Sequence, residues 1–418
     1  MLSEVSPDRV SSSAPRRFRC AGRARIGWLS FWTLTLTLIG LNVWWTWDKR
    51  PLESLSTISG WIDQNRLTDA EREARRWLRQ SAHHGQARIL LSRVLAAKGD
   101  FLNSAKQLHE VPVWWPTKGE VLFLEGQNFL KANRARDAEA AWKAALTDDP
   151  LHPVPAASVT AAALELTKLY VLEGRDDEAR EVLWKRYAVA DLSGRQFFVA
   201  KLLRFDLERA TPENAAGTLL NYVKATPDDW QARRALARAE QSLGQRELAS
   251  RNIQACLTAQ PNELSTWRDW LGILVAQNEF DGLAAVLAKL PPDADRDGKC
   301  WKYRGLTRVH HQEWKQAADA FEQSLKLDPG DAECHDRLAL INERLGDPKQ
   351  AAWHRQQSQA LSVASAELSA ALNEALQSIR NAMTDPPPVF ARLVALYKTL
   401  GQTQQAEAWS RFISPSGP

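Results

Sequence analysis

Cysteine is scarce in this chain of 418 residues: there are four, and no two form a C-x-x-C pair. Cys20 stands near the N-terminus and leaves an odd three, Cys256, Cys300 and Cys334, in the rest of the chain. That number argues against a disulfide framework. Signatures of catalysis are missing too. The chain has no Gly-rich phosphate loop, nucleophile elbow or H-E-x-x-H pair, each of which positions a reacting group by fixed spacing. Histidine is limited to eight residues. A zinc site drawn from Cys300, His310, Cys334 and His335 matches no recognised ligand spacing. No cofactor, metal or enzymatic activity is expected. A charge excess is also absent from most of the chain. Residues 1–50 carry eight Lys/Arg against three Asp/Glu, a net +5, so the remaining residues total −1 of the overall +4. This balance gives no support for nucleic-acid binding by bulk charge.

What the chain does have is a beat of 34 residues. Units open at Gln196, Trp230, Leu264, Gly298 and Ala332, and the same step links Pro51, Gly85 and Gly119. A small residue falls at the eighth place of many units, as Ser92, Gly126, Ala237, Gly305 and Ala339. Glycine at the fifteenth place (Gly99, Gly174, Gly244, Gly346, Gly401) ends the first helix of a hairpin in a left-handed conformation. Alanine recurs at the twentieth place, for example Ala70, Ala138, Ala249, Ala317 and Ala351. Proline (Pro116, Pro150, Pro227, Pro261, Pro329) then stops the second helix. The set Trp301, Gly305, Ala317, Phe321 and Pro329 is the clearest copy. This pattern resembles the tetratricopeptide family, whose repeat is a helix-turn-helix hairpin of this length. The resemblance implies an all-α fold, a right-handed superhelical solenoid of tetratricopeptide hairpins, with ten hairpins over about residues 51–414.

The register also slips. The unit at Thr160 comes late, after the proline-rich stretch 151–155, and two extra residues precede Gln196. Leu203 and Leu271 fill the eighth place, so packing there should be looser or shifted. The expected division is hairpins over 51–150, an array over 151–357, an extra helix over 358–386 and a terminal hairpin over 387–418. A hinge near 151–156 is the alternative to one continuous array. Trp142, Trp267 and Trp301 fall at packing offsets, and Trp270 is expected to be buried.

The head is a different polymer. Residues 26–47 form 22 consecutive uncharged positions with tryptophans at both ends, long enough as a helix for the ~30 Å bilayer core. A cleaved signal peptide fits less well, because the run is long and no small-x-small site follows. A transmembrane helix over 26–47 is therefore expected, after a basic cytoplasmic tail over 1–25. The tail carries six arginines against Glu4 and Asp8, which orients the N-terminus inward and the repeats outward. The expected location is the inner membrane of a bacterial cell, single-pass, with the repeats periplasmic and the bilayer contacted through this helix.

In the family the first helices line a concave face, with the second, fifth, ninth and twelfth places turned into it. At those offsets stand Arg93, Gln127, Lys168, Arg204, Arg234, Arg238, Arg268, Lys299 and Lys302, with fewer acids. Such a groove suits a protein partner with an acidic peptide segment or a terminal carboxylate. The resemblance implies a membrane-anchored interaction scaffold in secretion, envelope assembly or cytochrome maturation. The alternative is a scaffold for exopolysaccharide export or glycan binding.

Overall fold

The computed structural model describes residues 52–147, 156–207, 212–379 and 387–413. The expected tail and transmembrane helix lie outside these residues; among those described, no helix is long and apolar enough to cross a membrane. Twenty α-helices and a short 3-10 helix are present, and no strand is found among the described residues. They run as α1 (Leu55–Asp63), α2 (Leu67–Gln80), α3 (Gly85–Ala97), α4 (Phe101–His109), α5 (Lys118–Lys131) and α6 (Ala135–Leu146). Next come α7 (Ala156–Glu173), α8 (Asp176–Val189), α9 (Leu192–Leu207), α10 (Pro212–Ala225), α11 (Trp230–Ser242), α12 (Arg246–Ala259) and α13 (Leu264–Ala276). The chain closes with α14 (Phe280–Leu287), α15 (Gly298–His310), α16 (Trp314–Leu327), α17 (Ala332–Leu345), α18 (Pro348–Ser378), α19 (Pro388–Thr399) and α20 (Thr403–Ile413).

The repeat positions do what their chemistry requires. Gly126 and Gly305 let hairpin partners touch: an added Cβ would meet the Trp142 ring at 2.3 Å and the Phe321 ring at 2.9 Å. The alanines at the twentieth place are buried in every unit that has one. In the unit from Gly85 that place is Ser104, whose hydroxyl donates to the Ser92 carbonyl at 2.8 Å and accepts from Asn128 at 3.0 Å. The fifteenth-place glycines all have positive φ, between 64° and 81°. Where glycine is missing, Asn65, Asn133, Asn278 and Gln312 take the same left-handed conformation, near 60°. Helices α11, α13, α15 and α17 begin at the unit starts Trp230, Leu264, Gly298 and Ala332.

Two expectations need correction. The extra helix over 358–386 is not separate: α18 runs unbroken from Pro348 to Ser378 as the second helix of the preceding hairpin. No glycine or proline interrupts it after Pro348, so nothing stops it. The array over 151–357 is also not a single file. Helix α7 packs directly on α10 and α11, while α9 packs on α8 and α18 instead of filling the row. The unit from Gln196 is the one with two extra residues and Leu203 at the tight place, so its helix cannot seat closely. Leu203 is fully buried elsewhere, in a core with Phe198, Leu372, Leu393, Tyr397 and Trp409. The chain thus closes on itself, the end of α18 with α19 and α20 covering α8 and α9. Helix α6 packs on α7, so the array continues across the proline-rich stretch. Cys256, Cys300 and Cys334 stand as buried free thiols, in keeping with the odd number that argued against a disulfide framework.

Candidate functional site

The first helices of the second half carry a ladder of ion pairs with the repeat's own period. Each unit is preceded by an acid: Asp229, Glu263, Asp297 and Asp331 stand 34 apart. Asp229, Asp297 and Asp331 accept from the amides of Ala232, Cys300 and Cys334, capping α11, α15 and α17. The fifth-place cation of the preceding unit reaches the same acid. Arg268 lies 3.0 Å from Asp297, and Lys302 lies 2.9 Å from Asp331 and 2.6 Å from Glu333. Arg234 reaches the third rung indirectly, through Ser265, which donates to Glu263 at 2.6 Å. It also pairs with Asp269 at 3.5 Å. Burial opposes ionisation of Asp331, but the Lys302 ammonium holds its carboxyl below the ordinary range.

This geometry divides the predicted groove residues by role. Arg234, Arg268 and Lys302 fasten one repeat to the next. At the ninth place Arg93 donates to Ser59 and lies 3.2 Å from Asp63, which fastens α3 to α1. Lys168 pairs with Glu165 on its own helix at 2.8 Å. Gln127 is half-buried and Arg204 exposed; Arg204 sits on the displaced α9, away from the row. Arg238 and Lys299 are exposed and form no ion pair among the described residues. Arg238 reaches back to the Gly174 carbonyl at 3.3 Å. Burial raises the Asp269 carboxyl, against the pull of Arg238, Arg234, Arg268 and Lys299. Four of the nine predicted cationic and polar positions therefore pull on one carboxylate, and Arg234 is the one in direct contact with it. The capping acids were missed as a set, although their 34-residue spacing is visible in the sequence.

A second charged cluster joins α6 to α8. Arg175 is almost fully buried and donates to Glu139 at 2.8 Å, to Glu173 at 2.9 Å and to Glu178. Tyr170 Oη donates to Glu139 at 3.0 Å. Burial works against Glu139, yet Arg175 and Lys143 hold it down to about 2, while burial pushes Glu173 up to about 7. No group of three or more His, Cys, Asp or Glu that could hold a metal occurs among the described residues.

The tetratricopeptide-repeat family model matches residues 123–185 and 304–354. The chain carries tetratricopeptide repeats. The matched segments include the tight contacts of Gly126 with Trp142 and of Gly305 with Phe321. No curated protein matches the chain. Among solved structures, MamA from Desulfovibrio magneticus RS-1 is 23% identical, covering 39% of this chain and 95% of its own, with a TM-score of 0.33. PilF of Pseudomonas aeruginosa is 16% identical, covering 53% of this chain and 93% of its own, also at 0.33.

Proposed function

We propose that this tetratricopeptide chain is a non-catalytic scaffold, anchored in the inner membrane through residues 26–47 with its repeats periplasmic, that binds a partner protein on its concave face. The reading rests on Arg238 and Lys299, exposed and without an ion pair among the described residues, together with Arg234, which pairs with Asp269, and Arg268, which pairs with Asp297. The ladder already holds two of these cations in place. That rigid frame leaves Arg238 and Lys299 to meet an acidic segment or a terminal carboxylate through charge-assisted bonds. Envelope assembly, secretion and cytochrome maturation are the processes that suit such a layout.

The test is affinity capture from crosslinked native membranes with the full chain and the variant Arg238→Glu/Lys299→Glu. Because neither residue belongs to the ladder, the variant keeps its helicity by circular dichroism. Loss of a partner that the wild type captures supports the reading; an identical captured set removes it. Fractionation with membranes after carbonate extraction tests the anchor, and release into the soluble fraction would refute it.

A further inference from the structure

Three clefts lie on the far side of the same helices, away from the second, fifth and ninth places. Each sits between two consecutive second helices and is floored by the fourth residue of the first helix between them. A cleft of 990 Å³ between α12 and α14 is floored by Trp267. One of 940 Å³ between α14 and α16 is floored by Trp301, and one of 470 Å³ between α16 and α18 by His335. The three rings stand 34 residues apart and so repeat in space with the array. The first two clefts are open partly because α14 is only 8 residues long, against 14 in α12 and α16, and turns Gly282, Ala284 and Ala285 toward them.

The two indoles are tethered in the same way. Trp267 Nε1 donates to the Pro261 carbonyl at 2.7 Å, and Trp301 Nε1 to the Asp295 carbonyl at 2.9 Å, each six residues back. Rings fixed in one orientation at a regular step form a preorganised platform, and the Arg304 guanidinium, 4.3 Å from the Trp301 centroid, covers one face of that ring. The sequence expectation that these tryptophans are packing residues is met at Trp142, which is fully buried, but Trp267 and Trp301 are half-buried and line clefts. Amides border all three clefts: Gln254, Gln277, Gln316, Gln323, Gln350 and Gln357. An amide side chain carries both donors and an acceptor, although the Gln277 donors are already taken by the Arg246 carbonyl and Ser250. Charge is close to balanced, with six Lys/Arg against four Asp/Glu over the three linings.

We propose that this face binds a linear oligosaccharide, neutral or weakly acidic, laid across successive repeats. Aromatic faces take the apolar faces of sugar rings, and the amides take hydroxyls as donor and acceptor together. A polymer with a repeating unit suits a site that itself repeats, whereas a strongly charged ligand would find little net field here. The proposal concerns the face opposite the protein-binding groove and does not depend on that reading.

The experiment titrates the full chain, reconstituted in lipid nanodiscs, with the neutral hexamers cellohexaose, chitohexaose and mannohexaose, followed by calorimetry and indole fluorescence. At least one of the three binds with a Kd below about 1 mM. The rim variant Gln316→Ala/Gln323→Ala, which removes no ring contact, weakens that binding about tenfold with an unchanged melting temperature. Trp267→Phe/Trp301→Phe weakens it as well, and Arg238→Glu/Lys299→Glu leaves it as in the wild type. Absence of binding by all three hexamers overturns the proposal. So does binding that the rim variant leaves intact, or that only the concave-face variant abolishes.

Discussion

The left-handed residue that ends each first helix shows how one backbone requirement is met by different side chains. Gly99, Gly174, Gly244, Gly346 and Gly401 meet it with no Cβ, whereas Gln312 meets it at φ 63° with a full side chain. A left-handed non-glycine residue costs about 1–2 kcal/mol, offset in part by glycine's freedom in the unfolded chain. Gln312→Gly is therefore expected to raise stability by about 0.5–1 kcal/mol, read as a higher urea midpoint with an unchanged slope. A lower midpoint would mean that the glutamine side chain contributes more than its backbone costs. The buried carboxylates around Arg175 make opposite demands on pH. Glu139 is held at about 2, so its stabilisation is complete above 4.5 and drains as pH falls toward 2. Glu173 is pushed up to about 7, so its contribution is complete below 4.5 and is lost as pH rises through 7. Glu139→Gln should therefore cost on the order of 2–3 kcal/mol at pH 7. Glu173→Gln should gain stability at pH 8 relative to pH 4.5. Urea melts from about pH 2 to pH 8 check both. The Glu139→Gln difference should shrink as pH falls from 4.5 toward 2, and the Glu173→Gln difference should change between 4.5 and 7. A constant difference for either variant over its own window would contradict the assignment.

At the scale of elements, helices are joined by a device that repeats with them. A cation at the fifth place reaches the acid that caps the next unit's first helix, as in Lys302 with Asp331 and Arg268 with Asp297. Lys302 is about one-fifth exposed, so its pair is screened less than a surface pair. Lys302→Met should cost about 1–2 kcal/mol. A double-mutant cycle with Asp331→Asn would show coupling, and additivity would show that the two residues act separately. The unit length and most helix starts could be read from the sequence, because the small eighth residue, the glycine at fifteen and the alanine at twenty are each strict local requirements. The substitutes Asn65, Asn133, Asn278 and Gln312 occupy the same fifteenth place but are less diagnostic, since amide residues also occur freely on helix surfaces. The roles of the groove cations could not be read. An offset places Arg268 on a face, but only the neighbouring helix shows that Asp297 stands opposite it.

At the scale of the whole chain, the array between residues 55 and 413 returns on itself. Tyr397 Oη donates to Asp206 at 2.6 Å across 191 residues of sequence, and Arg180 holds the other oxygen of the same carboxylate at 2.8 Å. The turn after α16 also abuts the turn between α19 and α20. A Cβ on Gly330 would lie 2.0 Å from the Leu400 carbonyl oxygen, so Gly330→Ala should force the terminal hairpin from its seat. Hydrogen exchange in α19 and α20 would then speed up with little change in α15 and α16; uniform protection in the variant would contradict the contact. The closure was not legible beforehand, because no repeat consensus records which distant helix a displaced unit will meet. Only the irregular unit, with its two extra residues and Leu203, marked where it would happen.

The division of labour among the concave cations is the central claim, and titration with a fluorescent acidic peptide tests it most directly. The peptide would carry a run of glutamates and a free C-terminal carboxylate, and anisotropy and melting temperature would be followed for two paired variants. Arg238→Glu/Lys299→Glu is predicted to lose peptide binding and keep the wild-type melting temperature. Arg268→Gln/Lys302→Gln is predicted to melt earlier and, below its transition, to bind within about threefold of the wild type. Binding lost with the ladder variant and kept with the Arg238/Lys299 variant would contradict the account.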